Sequence, residues 1–217
     1  MQYFLGVRPE VFALLDGPSD GMKVLEVGCG AGRFRDHFGT AVEYWGVEPD
    51  QEAAAIAARS LQFVLSGLYQ DVVDSIPDAY FDLIICNDVI EHMADHVGFL
   101  HDIKRKLANG GRLLGSIPNI RHNSVLSDLL FRGDWPYQRA GILDRTHLRF
   151  FTRKSLLRCF DETGYELLRI KGVNSRQLSI AWCRRHPLRT LIIFFMGRDT
   201  RHLQFAFLVT PRPREVT

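Results

Sequence analysis

The arrangement of this chain follows from one stretch, Val24-Leu-Glu-Val-Gly-Cys-Gly-Ala-Gly32. A short aliphatic run, typical of a buried strand, leads directly into three glycines at alternate positions, Gly28, Gly30 and Gly32. Glycines at such a turn let the backbone approach a ligand closely and present amide groups to it. The pattern therefore predicts a strand, a ligand-binding loop and then a helix.

Further short apolar runs follow the loop and alternate with helical patterns. Strands are predicted at 23–27, 43–47, 62–65, 81–86, 112–116, 166–173 and 203–210, and helices at 51–60, 95–107 and 152–163. The turn Asn109-Gly110-Gly111 is predicted to end the second of these helices, because glycine accepts the left-handed conformation found there. This order predicts a parallel α/β sheet with helices on both faces.

Length and composition favour one folded domain over residues 1–217, since 46% of the 217 residues are hydrophobic and 24% are charged. The longest apolar stretch, Leu191–Met196, is far short of the roughly 20 residues that cross a membrane. The first residues lack the pattern of a signal peptide, so we expect a cytoplasmic protein. The four cysteines form no C-x-x-C pair, which favours reduced thiols over a zinc site or disulfides.

Charge is distributed unevenly along the chain. Residues 1–108 hold 8 Lys/Arg against 17 Asp/Glu, net −9, whereas residues 109–217 hold 19 against 8, net +11. The basic half could attract an anionic acceptor or a membrane surface, or it could be an ordinary solvated surface. We expect no nucleic-acid partner.

Three kinds of ligand compete for the glycine loop. A P-loop would need Gly-Lys-Ser/Thr, which Arg33 and Phe34 exclude. A dinucleotide site would need a small residue where Arg33 stands. A nucleoside with a cationic amino-acid tail would explain Glu26, an acid within an apolar strand end. Glu48, 20 residues beyond Gly28, suits a ribose diol.

Four motifs in order resemble those of class I S-adenosylmethionine (SAM)-dependent methyltransferases. They are Leu25–Gly32, Gly46–Pro49, Phe81–His92 and Leu107–Asn119. The resemblance covers roughly residues 20–173. It implies an α/β, Rossmann-like, doubly wound, seven-stranded sheet with the last strand antiparallel, SAM as cofactor and S-adenosylhomocysteine as product.

The resemblance also implies a set of cofactor-binding residues at the strand ends. They are Glu26, Gly28, Cys29, Gly30, Gly32, Glu48, Pro49, Leu68, Tyr69, Asn87 and Asp88. Many relatives carry an acid after strand three for the adenine amine, but this chain has Gly67-Leu-Tyr69. Adenine is therefore expected to lie against the Leu68 and Tyr69 side chains.

Residues 120–150 interrupt the alternation and are predicted to form a lid or acceptor-binding insertion. Its segment from Trp135 to Thr152 resembles a subgroup associated with bacterial surface-polysaccharide and natural-product pathways. Within that resemblance His147 is the leading general base, with Asp144 as its partner and His92 as a further catalytic candidate. Alternatively, Asp144 and the neighbouring arginines form ion pairs that lock the lid.

The Glu91-His92 pair could belong to a metal site or could have a structural role. Asp88, Glu91 and His92 resemble the positions that bind a divalent ion in some quinone and RNA methyltransferases. Since an acid and a histidine that cap a helix are the simpler explanation, we predict no metal.

The predicted activity is O-methylation of a small or glycan-type acceptor, which could be anionic. The main alternative is a membrane-associated quinone or phenol O-methyltransferase, and another is a non-catalytic SAM-binding subunit. A basic amphipathic insertion at 184–201 could contact a membrane, but we favour its burial against the sheet or in a homodimer.

Overall fold

The computed structural model describes residues 7–17, 20–175 and 178–213. It contains a seven-stranded sheet in the order β3-β2-β1-β4-β5-β7-β6. The strands are β1 (Lys23–Val27), β2 (Glu43–Glu48), β3 (Phe63–Ser66), β4 (Phe81–Asn87), β5 (Leu107–Pro118), β6 (Tyr165–Val173) and β7 (Gln204–Pro211). Only β7 runs antiparallel to its neighbours within this sheet, which confirms the predicted topology.

The α-helices are α1 (Pro9–Phe12), α2 (Gln51–Ala57), α3 (Tyr69–Val72), α4 (His96–Lys106), α5 (Asn123–Ser127), α6 (Arg153–Glu162), α7 (Ile180–Arg185) and α8 (Pro187–Met196). Two of them begin as the sequence predicted. Asp50 caps α2 by accepting a hydrogen bond from the Ala53 amide, and Thr152 caps α6 within a capping box.

Both faces of the sheet are covered, because alternate side chains of each strand enter different cores. In β4, Ile84 packs with α4 and α6 in one core, whereas Leu83 and Ile85 pack with α1 and α2 in the other. This two-residue alternation is the geometry of a pleated strand buried on both sides. The prediction of helices on both faces is confirmed.

Two local predictions were wrong. The glycine loop leads into a 3₁₀ turn, Arg33–His37, instead of an α-helix, since Gly39 follows closely. Residues 109–111 do not end α4; they belong to β5, which pairs Leu107 with Phe81 and then Arg112 with Leu83. The intervening residues form a bulge in which Gly110 has φ +75°. A left-handed glycine serves a bulge as well as a helix end.

Two insertions lie at the carboxyl edge of the parallel strands. The first begins and ends at a bridge between Asn119 and Phe151, and it contains a small core of Val125, Ile142 and Leu143. The second leaves β6 at Val173 and returns at Gln204, two residues that pair with each other. No helix of the described residues is long and apolar enough to cross a membrane.

Candidate functional site

A cleft of about 1390 Å³ opens at the carboxyl ends of β1, β2 and β4. Open parallel sheets bind ligands at this edge, where neighbouring loops diverge. The cleft wall includes ten of the eleven predicted cofactor-binding residues: Glu26, Gly28, Cys29, Gly30, Glu48, Pro49, Leu68, Tyr69, Asn87 and Asp88. Gly32 is the exception among them, since it lies against Ala57 and Ser60 of the α2 region, where a side chain would crowd both.

Glu48 holds the glycine loop to the end of β2. One carboxylate oxygen accepts from the Gly30 amide at 2.7 Å, and the other accepts from the Asp50 amide at 2.9 Å. The Gly28 and Cys29 amides donate to the Val47 carbonyl at 2.8 and 3.1 Å. Each carboxylate oxygen has a further lone pair, so Glu48 can still accept from a hydroxyl group in the cleft.

Glu26 is buried at the base of the cleft and accepts a hydrogen bond from the Tyr44 hydroxyl at 2.9 Å. Burial, with a smaller contribution from the charge of Glu48, raises the pKa of Glu26 to about 8. From the sequence we expected Glu26 to need a cationic or hydrogen-bonded partner, and in the structure this partner is the neutral Tyr44 hydroxyl. A cation bound beside it would favour the charged carboxylate and lower this pKa.

The wall after β3 has the composition that the sequence predicted, with one addition. The Leu68 side chain is half exposed, and the buried Tyr69 ring packs edge-on against Phe99 at a centroid distance of 4.9 Å. Within the described chain the Tyr69 hydroxyl has no hydrogen-bond partner. Gln70 and Asp102 line the same wall and supply the polar groups that residues 67–69 lack.

Arg8 enters the cleft from the N-terminal segment, and the sequence analysis missed it. Its guanidinium forms an ion pair with Asp88 at 2.7 Å and donates to Ser116 at 2.9 Å and Gln204 at 3.1 Å. Asp88 also accepts from Ser116 and from the Gln204 amide. The sequence signal that could have identified Arg8 is its position as a lone arginine before a proline in a strongly acidic half of the chain.

Glu91, His92 and His147 form a cluster beside this network. Their potential ligand atoms all lie within 4.8 Å of one another. His92 lines the cleft, while Glu91 is 1% exposed and His147 is 6% exposed. The lid is tied to this point, because the Leu148 and Arg149 amides both donate to the Glu91 carbonyl.

The two imidazoles of the cluster are held in the same way. The Nδ1 atom of His92 lies 3.1 Å from the Thr146 carbonyl, and Nδ1 of His147 lies 2.9 Å from the Ile142 carbonyl. Since a carbonyl can only accept, each Nδ1 carries the proton, and each Nε2 of a neutral ring keeps its lone pair. Burial and the neighbouring His147 lower the pKa of His92, which favours its neutral form.

The Glu91 carboxyl is the least satisfied polar group of the cluster. Neither of its oxygens has a hydrogen-bond partner among the described residues. Burial, and then the charge of Asp88, raises the pKa of Glu91 well above its ordinary value. A buried, unpaired carboxyl is costly, so it indicates a missing ligand, either a proton donor or a cation.

The predicted hydrogen bond between Asp144 and His147 is not formed. Asp144 instead accepts from the Thr146 amide at 2.8 Å and from its hydroxyl at 2.7 Å. Partial burial acts to raise the pKa of Asp144, but these hydrogen bonds and the nearby imidazoles lower it. Asp144 therefore acts on the cluster through its charge. The alternative of a lid locked by Asp144 ion pairs also fails, since no ion pair of Asp144 is found among the described residues.

The candidate metal ligands also differ from the three that the sequence suggested. Asp88 is engaged by Arg8, and His147 takes its place beside Glu91 and His92. Metal-bound histidines usually donate their second ring nitrogen to a carbonyl, as both histidines do here. The donor set of two imidazoles and one carboxylate fits manganese or zinc better than magnesium.

The fold and the cleft define a class I methyltransferase. Residues 2–170 match a family described as a methyltransferase domain, and the chain belongs to that family. The prediction of a class I SAM-dependent methyltransferase, with SAM as its cofactor, is confirmed.

Individual relatives are more distant. The chain is 27% identical to the mitochondrial ubiquinone biosynthesis O-methyltransferase of Mus musculus, over 76% of this chain and 47% of that protein. It thus spans about half the length of this curated relative. A SAM-dependent methyltransferase structure from Archaeoglobus fulgidus is 16% identical, with a TM-score of 0.65, over 94% of this chain and 92% of that one. A chain from a complex of the Haloferax volcanii Trm112 methyltransferase activator with a methyltransferase is 15% identical, with a TM-score of 0.68, over 97% and 90%.

The raised pKa of Glu26 predicts a pH-dependent cost to folding. Unfolding would return that pKa from about 8 to its ordinary 4.5, so the folded chain binds more protons between these values and loses stability as pH rises through them. Glu26→Gln removes this loss and keeps an acceptor for Tyr44. Urea unfolding measures the free energy of unfolding of this variant relative to wild type. That difference should increase by more than about 1.4 kcal/mol, the equivalent of one pKa unit, between about pH 5 and about pH 9.

The matched control for this comparison is Glu52→Gln, which changes an exposed acid on α2. Its free energy of unfolding relative to wild type should change less between the two pH values than that of Glu26→Gln. Parallel pH profiles for wild type and Glu26→Gln would show that Glu26 is ionised in the folded protein, contrary to our interpretation.

Proposed function

We propose that the protein transfers a methyl group from SAM to a hydroxyl of a small aromatic acceptor, a phenol. The observation that carries this proposal is the cluster of Glu91, His92 and His147 beside the cleft, in which Glu91 and His147 are buried and His92 lines the cleft. A hydroxyl is a weak nucleophile, and a group that removes its proton is the chemistry that such a cluster offers. The names of the ubiquinone O-methyltransferase relatives support a phenol over the glycan-type acceptor.

The cofactor end of the cleft suits the chemical groups of SAM. When bound, SAM supplies a methyl group on a positively charged sulfur. The acceptor displaces this sulfur in line, so the methyl group is transferred and S-adenosylhomocysteine is the leaving group. Glu48 would accept hydrogen bonds from the ribose diol with its remaining lone pairs. Glu26 would lose its proton on pairing with the ammonium group, and Leu68 and Tyr69 would lie against the adenine.

Among the catalytic candidates, His92 is our choice for contact with the acceptor, because it lines the cleft whereas the buried His147 does not. We therefore propose His92 Nε2 as the atom that takes the hydroxyl proton. His147, whose ring centroid lies 4.8 Å from that of His92, would act as a positioning residue. Asp144 would stabilise the charge that develops on the imidazoles.

The same cluster would accept a divalent cation. Glu91, His92 and His147 would hold it, which would satisfy the unpaired Glu91 carboxyl. A cation bound there would lower the pKa of a coordinated hydroxyl.

Two aromatic residues that could have stacked on a sugar have structural roles instead. Trp135 and Phe150 pack edge-on against each other at 5.3 Å, and both border the small core of the lid. This packing weakens the argument for a glycan-type acceptor.

The acceptor class is tested by incubating the protein and SAM with three panels: catechols and other phenols, glycans, and nucleotide sugars. Mass spectrometry should find a gain of one methylene mass in a phenol. A methylated glycan or nucleotide sugar would overturn the proposed acceptor class. Tight binding of S-adenosylhomocysteine with no methylated product from any panel would favour a non-catalytic subunit.

His92→Ala should reduce turnover of the phenol by roughly 10²-fold or more, because the proton acceptor is lost. The affinity for S-adenosylhomocysteine, measured by calorimetry, should stay near that of wild type. His101→Ala is the matched control, since His101 is exposed on α4. Unchanged turnover in His92→Ala would remove this histidine from the mechanism, and inhibition of wild type by a chelator would assign the cluster to a metal.

A further inference from the structure

The second insertion presents an unusual surface to solvent. Its most exposed large apolar side chains are Phe194 at 80%, Ile180 at 77% and Phe195 at 73%. Arg184, Arg185 and Arg198 are exposed beside them in sequence. We call these six residues the arginine-aromatic surface.

Folding explains only part of this insertion. Ile192 and Ile193 of α8 are buried, and α8 packs against α5 of the lid. Two polar contacts fix it further: Arg121 donates to the Met196 carbonyl at 2.6 Å and pairs with Asp199 at 3.2 Å. The helix is therefore anchored through one face, while Phe194 and Phe195 on its other side remain in water. Burial against the sheet, one of the two arrangements we expect for the apolar run, is not found for these two side chains, whereas burial in a homodimer stays a prediction.

Most of the insertion carries charge of one sign, since Asp199 is its one acid and pairs with Arg121. Residues 178–198 contain four arginines and no Asp or Glu. None of these four forms an ion pair within the part of the chain that the structure describes. Apolar side chains beside unpaired arginines are the composition of elements that lie in the interface of an anionic bilayer.

The surface lies at the edge of the sheet where the cleft opens. Asn174 and Gln204, the residues that flank the insertion, both line the cleft. The turn that continues α5 exposes three more apolar side chains, Leu129, Leu130 and Phe131. An object that covered the arginine-aromatic surface would therefore lie on an insertion that begins and ends at the cleft wall.

We propose that the arginine-aromatic surface docks on an anionic lipid bilayer. A second copy of the chain is the less suitable occupant, because a two-fold interface sets the same patch against itself and would bring the arginines of both copies together. A bilayer surface of opposite charge neutralises them and takes up Phe194 and Phe195. If the proposed function also holds, docking would deliver a lipid-dissolved phenol to the cleft, a step that rests on that function.

The test is sedimentation of the full chain with two kinds of vesicle, phosphatidylcholine alone and phosphatidylcholine with about a third phosphatidylglycerol. We expect binding to the anionic vesicles that weakens as salt is added, and little binding to the neutral ones. Replacing Arg184, Arg185 and Arg198 with Gln should weaken partitioning roughly 100-fold, since each arginine near the surface contributes about fivefold. Phe194→Ala with Phe195→Ala should also weaken it.

Matched variants remove the same groups elsewhere. Arg153, Lys154 and Arg158 are exposed on α6, and their replacement with Gln changes the net charge equally. Ile56→Ala with Leu168→Ala removes exposed apolar groups from α2 and β6. Both controls should bind vesicles like wild type.

Three outcomes would overturn the docking proposal. The first is no binding to anionic vesicles at low salt, and the second is an equal loss of vesicle binding in the α6 control. The third is light scattering that shows a wild-type dimer which dissociates in Phe194→Ala with Phe195→Ala. Affinity for S-adenosylhomocysteine, measured on the same samples, reports folding of the cleft. Methylation of a water-soluble phenol, measured without vesicles, tests the proposed function by itself, so its failure is distinguishable from a failure of docking.

Discussion

The carboxylate of Glu48 joins the two loops on which the site depends. It accepts hydrogen bonds from the Gly30 and Asp50 amides, so the glycine loop after β1 and the start of α2 share one buried anchor. Hydrogen bonds to a charged acceptor are about twice as strong as neutral ones, which gives this anchor its hold on the loop. The loop in turn forms one wall of the cleft and leaves room for a ligand where a larger residue at Gly28 would meet Val89.

The uneven charge of the chain has a structural meaning. The acidic half builds the cleft, with Glu26, Glu48, Asp88 and Glu91 at or beside its wall. Arg8 is a basic group inserted among them, and its charge is paired with Asp88 and Glu10. A site of this kind favours a cationic ligand such as a sulfonium with an ammonium group. Many arginines of the basic half lie on the two insertions at this edge of the sheet, and others, such as Arg153 and Arg158, lie on α6.

The sheet was predictable because each strand depends on local composition. Continuous apolar runs such as 83–86 have no alternative to burial on both faces, and the order of runs and helices sets a parallel topology. The glycine loop and Glu48 were predictable for the same reason, since strand ends of a parallel sheet meet at one edge. The bulge before Arg112 was not, because Gly110 in the left-handed conformation is compatible with two structures.

Contacts between residues far apart in the chain could not be predicted from the sequence. Arg8 meets Asp88 across 80 positions, and nothing local to either residue specifies the pair. The cluster with His147 depends on the Leu148 and Arg149 amides binding the Glu91 carbonyl, a contact set by how the lid packs. The exposure of Phe194 was missed because an apolar run of six residues predicts burial on average, whereas α8 buries only part of it.

The central proposal is that SAM binds in the cleft against the glycine loop and Glu48. Amide hydrogen exchange, with and without saturating S-adenosylhomocysteine, tests it most directly. Slower exchange is predicted at residues 28–32 and 47–50 and at the end of β4, with no change in α6. Unchanged exchange at the loop and at the end of β2, or protection confined to another part of the chain, would contradict the account.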